Sequence, residues 1–178
     1  MTRPSVALAL LVVLLAGCQA ESRAPDASPA DPSSGAGLER AAIETGVIAD
    51  AARTSPVGLY RRSHEGGQDT LCVAPDERGG LRFGTQVSFG TDGGCRGEGS
   101  ARRAGDKLIL RFRRGGRCIV VARYDGDKVA MPGVVDSQCA DLCVGRGSLE
   151  GVSFPRISSE AAAALRARDR DGEALCGI

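Results

Sequence analysis

The sequence predicts a mainly β protein: a small antiparallel barrel or meander of about eight strands, with an N-terminal and a C-terminal helix, stabilised by disulfides. Three observations carry this expectation. Between residues 57 and 154, short apolar or alternating runs are punctuated by turn residues. Six cysteines fall within or just after that stretch, an even number suited to crosslinks in an exported chain. The 178 residues suffice for one ordinary domain, and two would be cramped.

The chain opens with a single positive charge at Arg3, followed by an uncharged apolar run from Val6 to Gly17. That pattern reads as a secretory signal. As a helix the run would cover roughly 18 Å, well short of the ~30 Å hydrocarbon core of a bilayer. Leu15-Ala16-Gly17-Cys18 then resembles the lipobox of bacterial lipoproteins. The resemblance covers only the export signal. It implies that a diacylglyceryl group is attached to the Cys18 thiol, that signal peptidase II removes residues 1–17, and that Cys18 becomes an acylated N-terminus. Gln19 stands where family members retained in the inner membrane typically carry Asp, so the resemblance implies an outer-membrane anchor facing the periplasm. Several acyl chains at about 0.8 kcal/mol per buried CH₂ would make such attachment permanent in practice.

Residues 18–37 comprise the lipidated cysteine and a stretch containing Pro25, Pro29 and Pro32 among Ala, Ser and Gly, with almost nothing able to enter a core. It reads as a linker. The globular domain is expected over residues 38–178. It begins with Ala41, Ala42, Ile43, Val47, Ile48, Ala51 and Ala52 at helical spacing, closed by Pro56.

Strands are then expected at 57–62, 70–74, 81–89, 96–103, 107–113, 118–124, 128–131 and 149–154. Tight connections are expected at Gly105, at Gly115-Gly116 and at Asp125-Gly126, the last as a type I′ turn. Leu108, Leu110 and Phe112 share one strand face and Arg111 and Arg113 the other, so one side should be buried and the other wet. Eight such strands suit a closed or nearly closed barrel, which leaves no adhesive edge; a two-sheet sandwich is the alternative. The last element is a helix capped by Ser159, running from Ala161 to Asp171 and stopped by Gly172.

With Cys18 assigned to lipid, Cys72, Cys95, Cys118, Cys139, Cys143 and Cys176 remain as three disulfides, for which 15 connectivities are possible. Cys95 with Cys118, and Cys176 with Cys139 or Cys143, are the pairings expected from position. Cys139 and Cys143 are separated by three residues, which fits neither a redox pair nor a zinc knuckle, and no metal is expected.

No catalytic constellation stands out, so no enzyme and no cofactor are expected. His64 is the only histidine, in a glycine-bearing hairpin without a nucleophile nearby in sequence. Around Ser148, Arg146 stands where a nucleophile elbow needs glycine. Gly97-Glu98-Gly99 lacks the third glycine of a dinucleotide fingerprint and reads as a loose strand or bulge.

The formal charge is only +1 and no aromatic series interleaves with the basic residues, which argues against nucleic-acid binding. The charge is uneven, however. Residues 96–123 carry nine basic side chains against two acidic ones, a net +7. Arg111, Arg113, Arg114 and Arg117 are the candidates for contact with an anionic envelope component or protein. The expected function is a non-catalytic binding or structural domain on a lipid anchor. The alternative is an enzyme inhibitor, since small disulfide-bonded barrels on lipid anchors resemble membrane-bound lysozyme inhibitors in architecture. Their Ser-Gly-x-x-Tyr-like recognition element is not found; Ala122-Arg123-Tyr124 lacks the preceding Ser-Gly.

Overall fold

A computed structural model describes residues 32–48, 50–51, 53–114 and 117–177. Cys18, the signal segment and Gly115-Gly116 lie outside the described residues. The chain divides into two units, Met1–Ala41 and Ala42–Ile178. A helix, α1 (Pro32–Glu44), runs across that division. It begins inside the stretch read as linker and stops well before Pro56. The stop is a Schellman motif at Gly46, whose φ of 73° lets Val47 N–H reach Ala42 O (2.9 Å) while its own N–H reaches Ile43 O (3.0 Å). Val47 and Ile48, expected on a buried helical face, are exposed.

Nine strands follow: β1 (Gly58–His64), β2 (Gly67–Pro75), β3 (Leu81–Phe89), β4 (Gly93–Ala104), β5 (Lys107–Phe112), β6 (Ile119–Tyr124), β7 (Lys128–Ala130), β8 (Cys143–Val144) and β9 (Ser153–Ser158). Eight of them close an antiparallel barrel in the order β1-β2-β3-β4-β5-β6-β7-β9, with β9 returning to β1. The expected barrel is present, and the sandwich is not. The two-residue β8 pairs with β4 outside the ring.

Burial alternates as a barrel wall requires, most cleanly in β5 and β6. Tyr60, Leu71, Val73, Phe83, Leu108, Leu110, Phe112, Val120, Tyr124 and Phe154 fill the interior. Phe83 and Phe112 meet edge to face at 4.9 Å. They do so across β4, which explains its glycines. A Cβ on Gly97 would lie 2.5 Å from the Phe112 ring, and one on Gly99 2.0 Å from Arg111 O. Gly97-Glu98-Gly99 is therefore a regular strand paired with β3, not a loose bulge; Gly97 makes room for the Phe112 ring and Gly99 for the close approach of the β5 backbone.

One barrel end holds the start of β1 and the end of β9. There Tyr60 donates to Pro56 O (2.7 Å), Tyr124 donates to Ser55 O (2.9 Å), and the Arg156 guanidinium lies 5.2 and 5.6 Å from the centroids of the two rings. The opposite end is covered by residues 131–152. Their 3₁₀ helix, Ser137–Leu142, buries Cys139 and Leu142 in the core and is capped by Asp136, whose carboxylate accepts from Gln138 N–H at 2.8 Å.

The chain after β9 folds onto the outside of β1 and β2, where Leu59, Cys72, Ala74, Ala164, Ala167, Leu175 and Cys176 form a second apolar cluster. The helix here, α2 (Ala161–Leu165), is shorter than expected, and Glu160 rather than Ser159 occupies its cap without a side-chain bond. Beyond the helix end, Asp169 organises a turn. Its carboxylate accepts from Asp171 N–H (3.0 Å), Glu173 N–H (2.8 Å) and Arg96 Nε (2.8 Å), bending the chain into a turn. The last barrel strand also begins later than the expected 149–154. Leu149 and Val152 are buried in the covering segment and belong to a turn closed by Val152 N–H to Leu149 O (3.4 Å). At Asp125 the turn is not type I′, because only Gly126 has positive φ; the Asp125 carboxylate instead accepts from Asp127 and Lys128 N–H.

The disulfides are Cys72–Cys176, Cys95–Cys143 and Cys118–Cys139, so both expected pairings are corrected. Cys95 and Cys118 flank β5 from either side. Next-but-one strands lie about 9.5 Å apart, beyond the ~6.8 Å Cα reach of a disulfide. Cys95 instead stands opposite Cys143 on β8. Cys118 meets the core-facing Cys139, and outward-facing Cys72 meets Cys176 in the external cluster. Cys72–Cys176 spans 104 residues and Cys118–Cys139 only 21. Replacing the first pair by alanine should lower the unfolding free energy by about 4–5 kcal/mol and the second by about 3 kcal/mol, measured by urea denaturation.

Candidate functional site

The basic segment resolves into committed and uncommitted side chains. Arg96 is held by Asp169 and Glu173 (2.8 and 3.3 Å), Arg113 by Glu98 (3.2 Å) and Lys107 by Asp106 (3.0 Å). The hydrogen bond from Lys107 holds the Asp106 carboxyl below its ordinary value. Arg103 donates to Thr54 O at the closed barrel end (3.0 Å). Arg102, Arg111, Arg114, Arg117 and Arg123 are exposed and form no ion pair among the described residues. Of the four candidates, Arg111 lies on β5, while Arg113, Arg114 and Arg117 belong to the connection between β5 and β6.

Strand register gathers the outward residues of β4, β5 and β6 into three rows. Ser100, Arg111 and Ile119 form one; Arg102, Ile109 and Val121 the next; Ala104, Lys107 and Arg123 the third. Ile119 is 38% and Val121 49% exposed. The outer surface of these strands is therefore apolar at its middle and basic around it. The charge count finds the arginines, but Ile109, Ile119 and Val121 were expected only as generic strand residues.

A second site went unnoticed in the sequence. At the barrel end covered by residues 131–152, a cavity of about 510 Å³ opens between the β1–β2 hairpin, the end of β3 and residues 148–152. Its wall is organised by Asp69, which is fully buried. One Asp69 oxygen accepts from Arg62 Nε (3.1 Å) and Nη2 (2.6 Å); the other accepts from Ser88 N–H (2.9 Å) and faces His64 Nε2 (3.0 Å). Gly66 N–H donates to His64 Nδ1 (3.1 Å), which assigns the imidazole proton to Nε2 and makes it the donor to Asp69. His64 thus sits at its hairpin as expected, but its ring is tied down. Each charged oxygen of Asp69 is satisfied, as a buried carboxylate requires.

Ser148 lines the same cavity. Its Oγ accepts from Glu150 N–H (3.1 Å), and Glu150 in turn accepts from Val135 N–H (3.2 Å). Among the described residues, no group of three or more His, Cys, Asp or Glu could hold a metal ion, and no helix is long and apolar enough to cross a membrane. Searches against family models, curated proteins and solved structures found no match.

Asp169 decides how much of the basic segment remains available, because it neutralises Arg96. Burial pulls its pKa up, but donation from Glu173 N–H, Arg96 and Asp171 N–H outweighs burial and holds it below the ordinary value. A depressed folded-state pKa gives stability that is complete above the unfolded value near ~3.9 and is lost as pH falls through the folded one. Asp169→Asn should therefore destabilise the protein by on the order of 1–3 kcal/mol at pH 7, measured by thermal or urea unfolding. The difference from wild type should shrink as the titration is carried into acid.

Proposed function

We propose that this chain is a lipid-anchored protein of the bacterial envelope, attached through Cys18, whose barrel is a non-catalytic module that contacts an anionic envelope component. The observation that carries the reading is the outer face of β4–β6. Arg102, Arg111 and Arg123 occupy three different rows around Ile109, Ile119 and Val121, and none of the three forms an ion pair among the described residues, Asp106 lying only within electrostatic range of Arg123. Arg114 and Arg117 extend the charge beyond the end of β5. A face of this kind attracts phosphate or carboxylate groups over a distance and offers apolar contact on arrival. The reading gives the barrel no chemical step and the linker the task of spacing it from the anchor.

Two measurements test it. Metabolic labelling with an alkyne fatty acid in a bacterial host should mark the wild-type protein and not Cys18→Ser, and the variant should leave the membrane fraction; labelling of both would refute the anchor. A chain beginning at Gln19 should bind vesicles containing phosphatidylglycerol in preference to phosphatidylcholine, less so as salt rises. At about 1 kcal/mol per basic residue, Arg102→Glu/Arg111→Glu/Arg123→Glu should weaken that binding at least about 100-fold. Unchanged binding by the triple variant would remove the face from the account.

A further inference from the structure

We infer that Cys95–Cys143 is a site of thiol–disulfide exchange with a dithiol, and that its reduction releases residues 143–148 from the barrel end. The inference concerns the roof alone and stands apart from the anchor and the basic face. Of the six paired cysteines, Cys72, Cys95, Cys118, Cys139 and Cys176 are 0–3% exposed, while Cys143 is half-buried. Cys143 also lines a cavity of about 300 Å³ bounded by residues 135–140 and 145–150. Exchange needs a thiolate to reach one sulfur of the bond, so access decides which disulfide reacts first. Cys139 touches the same cavity, but it is 1% exposed and its partner Cys118 is fully buried.

What the bond holds is a segment with little else to fasten it. Leu142 and Leu149 are buried anchors, and between them no residue is fully buried; Cys143 alone packs against the core. Val144 is 64% exposed, and Gly145, Arg146 and Ser148 are exposed as well. The segment lies on the start of β4 backbone to backbone. A Cβ on Gly147 would stand 2.4 Å from Gly94 O, and one on Gly145 3.0 Å from Asp92 O. Its ladder with β4 has two pairs, Gly94 with Val144 and Cys95 with Cys143, too few to hold a strand unaided. The neighbouring 3₁₀ helix has its own fastening in Cys118–Cys139. Ser148 lines both this cavity and the larger one beside Asp69, so lifting the segment removes part of the wall between them.

The exchange balances as follows. A thiolate of the dithiol attacks Cys143 Sγ; the bond to Cys95 breaks, and its electron pair leaves on Cys95 Sγ, which takes one proton. The second sulfur of the dithiol then displaces Cys143 Sγ from the mixed disulfide, and Cys143 takes the other proton. The protein disulfide is reduced by two electrons to two thiols, and the dithiol, which supplies both protons, is oxidised to its own disulfide.

Dithiothreitol added in steps to the disulfide-bonded protein without denaturant, with iodoacetamide labelling and mass spectrometry of the digest at each step, tests the order of reduction. Cys143 should be labelled first, at least about tenfold faster than Cys72, Cys118, Cys139 or Cys176, whose bonds need a wider opening of the fold. In protein reduced at this bond alone, amide hydrogen exchange over residues 143–148 should rise at least about tenfold and that of β1, β2 and β5 should stay unchanged. Cys95→Ala/Cys143→Ala should show the same local rise without reductant; graded reduction of the unsubstituted protein decides the matter where that variant does not fold. Labelling of any of the other four cysteines at or before Cys143 would overturn the proposal. So would reduction that occurs only when the whole chain unfolds, or unchanged exchange over residues 143–148 once the bond is open.

Discussion

Arg156 closes the barrel. With β8 set aside, every pairing in the ring but one joins strands that follow one another along the chain; the exception is β9 with β1, where the last strand must find the first. That seam is short, pairing Leu59 with Ser158 and Tyr60 with Arg156 across a register shift. Side chains reinforce it. Arg156 donates to Ser55 O (2.8 Å), to the Tyr60 hydroxyl (2.9 Å) and to the Tyr124 hydroxyl, and its guanidinium covers both rings. Burial pushes the Tyr60 hydroxyl up, Arg156 offsetting only part of this, so the phenol keeps its proton and can donate to Pro56 O. The guanidinium is half-buried: Nη2 makes all three oxygen contacts and the two aromatic faces flank the group, while Nε is buried without a hydrogen-bond partner among the described residues.

Closure also sorts the surface. The chain leaving β9 lies over β1 and β2 and is fastened to β2 by Cys72–Cys176, so the outward side of the seam is covered by protein. The outward side of β4–β6 keeps its exposed isoleucine, valine and arginines. One end of the barrel is occupied by the Tyr–Arg cluster and residues 54–56, and the other is roofed by a segment held through Cys95–Cys143 and Cys118–Cys139. Among the described residues, a basic wall and the cavity beside the Asp69 network are left uncovered by these closures.

Much of the barrel was legible because its strands obey a simple rule. In β5 Arg111 marks the outward face, so the pattern identifies Leu108, Leu110 and Phe112 as inward; in β6 the outward Ile119 and Val121 are apolar too, and the sequence alone does not choose a face. The rule failed where apolar residues do other work. Leu149 and Val152 are buried in a roof, not a strand, and the true strand carries Pro155 and Ile157 on its outside. The cysteine pairs were not legible because they depend on which face each cysteine occupies and on what crosses the barrel ends. The Asp69 site was missed although a signal existed. Asp69 shares the parity of Leu71 and Val73, and Arg62 and His64 share that of Tyr60, so three ionisable groups fall on inward positions of one hairpin. Charged residues at core parity in paired strands mark an internal polar site, and the pattern can be read once the register of β1 and β2 is set.

The central claim is that β9 returns to β1 and seals the ring through Arg156. NMR of the disulfide-bonded protein tests it most directly, through nuclear Overhauser contacts across the seam. The account predicts backbone contacts between Tyr60 and Arg156 and between Leu59 and Ser158, together with contacts from the Arg156 side chain to the rings of both Tyr60 and Tyr124. A spectrum with all neighbouring-strand contacts present and these absent would describe an open meander and contradict the account.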